Sequence, residues 1–146
     1  MGIKRYLLVS CLFLIVLLFY SCSIESAFPD DNLDNYWRLD KVEYNDGVNF
    51  FGDTCQYEDI DNTMFGFARH IVIIEDLARE FERHGITMRY GDSLKMDFSI
   101  YTDDNIINSL RYCGLDSVVT IFKVKYPSKK RMILTSKKAT LHFRMW

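Results

Sequence analysis

The feature that most constrains this chain is strict two-residue alternation between Ile86 and Ile100. Ile86, Met88 and Tyr90 alternate with Thr87 and Arg89; Leu94, Met96, Phe98 and Ile100 alternate with Lys95, Asp97 and Ser99. A period of two sends successive side chains to opposite faces, so each half reads as a strand with one face buried, and Gly91-Asp92 between them as the turn of a hairpin. The same pattern recurs on both sides. Residues 35–44 alternate with Trp37 and Leu39 on one face, and Asn45-Asp46-Gly47 then marks a tight turn. Residues 48–51 read as a short strand and 52–62 as a polar loop. Residues 63–75 read as one strand, with Phe65, Phe67, Ile71 and Ile73 in one phase and His70, Val72 and Ile74 in the other. Residues 75–84 fit a helix by composition and equally a strand end followed by a loop.

Beyond the hairpin the period changes. Thr102 or Asp103 can cap a helix whose Ile106, Ile107, Leu110 and Cys113 fall on one side, with Gly114 as its stop. Residues 118–126 return to alternation, Pro127-Ser128-Lys129-Lys130 turns, 132–135 is a strand, Lys137-Lys138 turns, and 139–146 is a last strand. About eight short strands and one short helix predict an antiparallel barrel or sandwich.

The N-terminus belongs to another class. Lys4 and Arg5 precede an apolar run from Tyr6 to Tyr20 interrupted only by Ser10. That is a charged n-region and an h-region, and the run is shorter than the roughly 20 residues needed to span a bilayer. It ends at Leu18-Phe19-Tyr20-Ser21-Cys22, which resembles a bacterial lipoprotein signal, where a small residue precedes a cysteine that is lipidated and becomes the new N-terminus. The resemblance implies a signal peptide over 1–21, lipid (palmitate) attachment at Cys22, a polar, acidic tether over 22–34, and one domain over 35–146. A serine after the cysteine, here Ser23, implies delivery to the outer membrane. Of 146 residues, 125 would remain after cleavage, a size that makes a single domain.

The mature part carries 16 basic and 20 acidic side chains, a net charge of −4, unevenly placed: residues 22–110 hold 7 basic and 19 acidic, residues 111–146 hold 9 and 1. Lys123, Lys125, Lys129, Lys130, Arg131, Lys137 and Lys138 fall at alternating or turn positions. They read first as solvent-facing strand and turn residues, and otherwise as a patch for anionic groups; no nucleic-acid partner is expected of an exported protein. Cys55 and Cys113 are left either to form a disulfide in an oxidising compartment or to sit as small buried hydrophobes.

The Trp37-x-Leu39 opening strand, the alternating middle strands with Gly91-Asp92-Ser93-Leu94 between them, and the closing Met132-Ile133-Leu134-Thr135-Ser136-Lys137-Lys138-Ala139-Thr140-Leu141-His142-Phe143-Arg144 resemble the small lipocalin-like lipoproteins of Gram-negative bacteria. The resemblance implies an all-β, antiparallel lipocalin-like barrel of about eight strands with one short helix, and transfers no catalytic residue.

Chemistry is sparse. His70, His84 and His142 share no ligand spacing with carboxylates or cysteines, so no metal site and no cofactor are expected. Nucleophile elbows, phosphate loops and CxxC pairs are missing, and the chain is read as a non-enzyme. Two functions remain. One is a lipid-anchored structural or interaction module of the cell envelope that contacts a protein partner through loops 52–62 or 75–84. The other is a carrier of a small apolar or amphipathic ligand inside the barrel. Trp37, Phe65, Phe67, Met96, Phe98, Phe122 and Phe143 serve either case, as ligand lining or as core.

Overall fold

The computed structural model describes residues 33–101, 103 and 105–146. The expected signal, its Cys22 and most of the expected tether therefore lie outside the described residues. Nine strands and one helix follow in order: β1 (Tyr36–Tyr44), β2 (Tyr57–Asp59), β3 (Thr63–Ala68), β4 (Ile71–Asp76), β5 (Phe81–Tyr90), β6 (Ser93–Asp97), α1 (Asn105–Tyr112), β7 (Val119–Ser128), β8 (Arg131–Thr135) and β9 (Ala139–Met145). Each strand from β3 to β9 pairs antiparallel with the next, and β1 pairs with β3 on one edge and β9 on the other. The sheet closes as an eight-stranded antiparallel barrel, as the alternation predicts. Closure removes the free edges that an open sheet presents. The short β2 pairs with β1 from Lys41↔Asp59 to Glu43↔Tyr57, along the edge that β3 occupies lower down.

The inward phase of β1 jumps. Trp37 and Leu39 are buried, and so are Val42 and Tyr44. A bulge causes it: Leu39 faces Phe143 and Lys41 faces His142, leaving Asp40 as an extra residue on β1.

Several expectations are corrected by the register. Residues 63–75 form two strands, because Arg69 takes φ 56° and a two-residue turn, Arg69-His70, folds the chain back with Ala68 opposite Ile71. The turn reverses the phase, so Phe65 and Phe67 share the interior with Val72 and Ile74, while Ile71 is 51% exposed. Residues 48–51 contribute only the isolated bridge Val48↔Thr54, and the loop 52–62 holds β2. Residues 75–84 are the end of β4, a turn and the start of β5, with no helix. The turn after β7 narrows to Lys129-Lys130, since β7 runs on to Ser128.

The barrel has two unlike ends. At the entry end the chain comes in at Leu33, and the turns Arg69-His70, Gly91-Asp92 and Lys129-Lys130 follow one another around the same rim. Leu33 is buried, its carbonyl accepts the Trp37 indole N–H at 3.1 Å, and Asp34 Oδ1 accepts the Arg69 backbone N–H at 3.0 Å. The helix end is covered by α1, which joins β6 to β7. Asp103 caps it, Oδ1 accepting the Asn105 N–H at 2.9 Å, and Gly114 at φ +81° stops it; the alternative cap Thr102 lies outside the described residues. Ile106, Leu110, Cys113 and Leu115 from this segment join the barrel core.

Candidate functional site

All seven aromatic and methionine side chains singled out in the sequence meet inside the barrel. Trp37, Phe65, Met96, Phe98 and Phe122 are fully buried, Phe143 is 1% and Phe67 4% exposed. They pack on one another: the Phe65 and Phe143 rings are edge to face at 5.0 Å, and Phe65 and Phe67 lie 6.3 Å apart. Gly85 shows how little slack is left, because a Cβ there would stand 2.7 Å from the Phe98 ring. Gly114 is equally confined at the helix end, where a Cβ would meet Val42 at 3.0 Å and Leu141 at 3.2 Å. These side chains act as core along the described interior. Burying each large one contributes roughly 1.5–3 kcal/mol, a share of stability that a ligand need not supply.

The helix end also holds a buried carboxylate. Asp76, 1% exposed, accepts the backbone N–H groups of Ala78 and Arg79 on Oδ1 at 3.0 and 2.9 Å and the Arg79 guanidinium on Oδ2 at 2.8 Å. Four donors, with Thr63 Oγ1 at 3.4 Å the weakest, satisfy it, so it fixes the β4–β5 turn rather than waiting for a substrate. Nothing in the sequence marked it beyond an Asp two and three residues ahead of the N–H groups it binds.

In the structure Cys55 and Cys113 are separate thiols, Cys55 partly exposed and Cys113 buried. Cys113 is buried under α1, where desolvation first and the Asp76 charge second push its thiol pKa up. Cys55 sits in the β1–β2 connection, its Sγ donating to the Tyr57 carbonyl at 3.1 Å. Among the described residues no group of three His, Cys, Asp or Glu side chains is placed to hold a metal ion.

Outside the barrel, a groove of about 290 Å³ is lined by Glu43, Tyr44, Asn45, Gln56 and Tyr57, where β1 meets β2. Lys41 pairs with Glu43, and His142 Nε2 lies 3.2 Å from Glu43 Oε2; both hold the carboxyl below its ordinary range, Lys41 more strongly. Tyr44 donates to Glu58 at 2.7 Å, and burial together with that carboxylate pushes its phenol up. At the helix end Phe51 packs on Tyr112 with tilted rings 4.6 Å apart, and Arg79 lies over the Tyr112 ring at 4.2 Å. Phe51 is 43% and Leu77, in the turn with Arg79, 67% exposed. The two loops proposed from sequence, 52–62 and 75–84, are thus brought to the same end of the barrel by its topology.

The family model for the lipocalin-like domain matches residues 16–146. The chain belongs to the lipocalin-like domain family. Solved structures agree on the fold: a lipocalin-like protein from Bacteroides uniformis ATCC 8492 superposes with a TM-score of 0.58 at 18% identity, covering 79% of this chain and 99% of that one. An uncharacterized protein from Bacteroides eggerthii DSM 20697 does so with a TM-score of 0.58 at 18% identity, covering 78% and 99%. Among curated proteins no match is found. At this identity the likeness of this lipocalin-like chain to the two structures concerns the fold alone.

Proposed function

We propose that this lipocalin-like protein is exported, lipidated on Cys22 and held at the cell envelope, at the outer membrane, as a non-enzymatic module that binds a protein partner through its helix end. The observation that carries the reading is the exposed Phe51–Tyr112–Arg79 cluster, with Leu77 exposed in the same turn as Arg79, on a barrel whose described interior is occupied by its own side chains. Aromatic side chains and Arg are the residue types that most often anchor protein interfaces. Ser21-Cys22 after an apolar run supports the anchor, since lipidation with more than one acyl chain gives stable attachment where a single chain gives only marginal binding. Two variants test it. Cys22→Ala should move the protein to the soluble fraction, and Phe51→Asp with Leu77→Asp should abolish a partner cross-link in intact cells while leaving the barrel folded. A membrane-bound Cys22→Ala protein, or an unchanged cross-link, would contradict the reading.

The groove favours a second reading, a small amphipathic ligand. Its volume lies at the lower edge of the roughly 300–1,000 Å³ typical of ligand pockets, and it combines two tyrosines with a carboxylate and two amides. In that case native mass spectrometry of the purified protein should show a bound small molecule that Tyr57→Ala loses.

A further inference from the structure

The barrel is electrically polar along its axis, which the chain order conceals. Lys125, Lys129, Lys130 and Arg131 from β7, β8 and their turn lie toward the entry end, as does Arg69 from the β3–β4 turn across the mouth, with Lys123 half-way along β7 opposite Ser93. With Arg38, Arg89 and Arg144 they make nine basic side chains, against Asp34, Asp92, the bulge residue Asp40, and Asp61, which holds Arg38 at 2.9 Å. Asp40 already engages three of the nine, with Arg131 and Arg144 at 3.3 Å and Arg38 at 3.9 Å. The four lysines are exposed and have no carboxylate partner among the described residues. The rest of the described barrel is the reverse, with Arg79, Arg83 and Arg111 among only seven basic side chains facing twelve acidic ones. Lys137 and Lys138, neighbours of this basic set in sequence, lie at the opposite, helix end because β8 and β9 separate them from it.

The same entry rim exposes large apolar side chains. Trp146 is 79%, Tyr90 67%, Tyr36 52% and Ile71 51% exposed, and the Trp146 N–H donates to the Tyr36 carbonyl at 3.1 Å. Tryptophan and tyrosine settle at the headgroup level of a bilayer, and lysine and arginine near an anionic surface are drawn to it. Leu33, where the chain enters the fold, is fixed on this rim by Trp37 and its neighbour Asp34. The chain from Cys22, eleven residues ahead, therefore enters the fold on this rim, which makes it the end nearest the point of attachment. We propose that the entry end is a docking face for an anionic phospholipid bilayer, with Trp146, Tyr90 and Tyr36 at headgroup depth and the lysines over the phosphates. This rests on the membrane-anchored reading above, and it directs the acidic helix end, with its Phe51–Tyr112 pair, away from the surface.

The test uses the full chain on vesicles of phosphatidylcholine alone or mixed with phosphatidylglycerol, with part of the phosphatidylcholine brominated near the top of its acyl chains. Sedimentation reads attachment; bromine quenching of tryptophan emission, corrected with Trp146→Phe, reads the depth of Trp146, because the other tryptophan, Trp37, is buried in the barrel. Docking gives sedimentation with both vesicles and Trp146 quenching only with phosphatidylglycerol. That quenching should be lost in 1 M salt, where the Debye length shrinks to about 3 Å, and in Lys129→Glu/Lys130→Glu, and kept in Lys137→Glu/Lys138→Glu. Sedimentation without quenching, or equal loss in both double variants, overturns the docking face and leaves the anchor intact. Binding to phosphatidylglycerol vesicles alone overturns the anchor and keeps the face, and binding to neither overturns both.

Discussion

At the scale of single residues, the tightest constraint is Gly85 beneath Phe98. Alternation in β5 places residue 85 inward, and only the missing Cβ lets the Phe98 ring cross it. Gly85→Ala should destabilise the barrel by about 1–3 kcal/mol, read by denaturant unfolding, because a packed interior yields only through side-chain and backbone shifts. Asp97 makes a different prediction. The Ser99 hydroxyl and backbone N–H donate to its Oδ1 at 2.5 and 3.0 Å, with Lys95 3.0 Å from Oδ2, and these hold the carboxyl down at about 2 from an ordinary 3.8. Since the folded value lies below the unfolded one, its stabilising effect is complete above 3.8 and is lost as pH falls through about 2. An NMR titration should find the low midpoint, and Ser99→Ala should raise it. The Cys113 thiol should resist alkylation until the barrel unfolds, while Cys55 reacts in the native state, as peptide mapping would show.

At the scale of elements, alternation made most strands legible. In β6 the period-two signature marks both strand and face, with Leu94 and Met96 inward; in β5 it marks the strand but the expected face is inverted, since Thr87 is 2% exposed while Ile86 is 44% and Tyr90 67% exposed. The helix was legible for a similar reason, with an Asp cap and a Gly stop around it. The hairpin between β3 and β4 was hidden because Arg69-His70 has none of the Gly, Asn or Asp that normally announce a tight turn, yet Arg69 adopts φ 56°. Arg69→Gly should therefore stabilise the barrel by up to about 1 kcal/mol, as removal of a left-handed strain would, with thermal unfolding as the readout. The three-residue β2 was hidden because it is too short to show any period. The bulge at Asp40 was hidden because a one-residue phase jump reads, in one sequence, as imperfect alternation.

At the scale of the whole molecule, the interior set was legible and its consequence was not. Trp37, Phe65, Phe67, Met96, Phe98, Phe122 and Phe143 were identifiable as inward-facing, but only their packing separates core from ligand lining. The groove at Glu43 and the polarity of the barrel were beyond reach of the sequence, because both need the register that sets His142 against Lys41 and brings the turns of Lys129 and Arg69 to the same end of the barrel. The resulting account is a two-ended particle, basic and aromatic where the chain enters, acidic with an exposed aromatic cluster at the other end. Photo-crosslinking in intact cells, from a benzoylphenylalanine placed at Phe51 or at Trp146, tests that polarity most directly. The account predicts a discrete protein adduct from position 51 and lipid adducts from position 146; a protein adduct from 146 with none from 51 would contradict it.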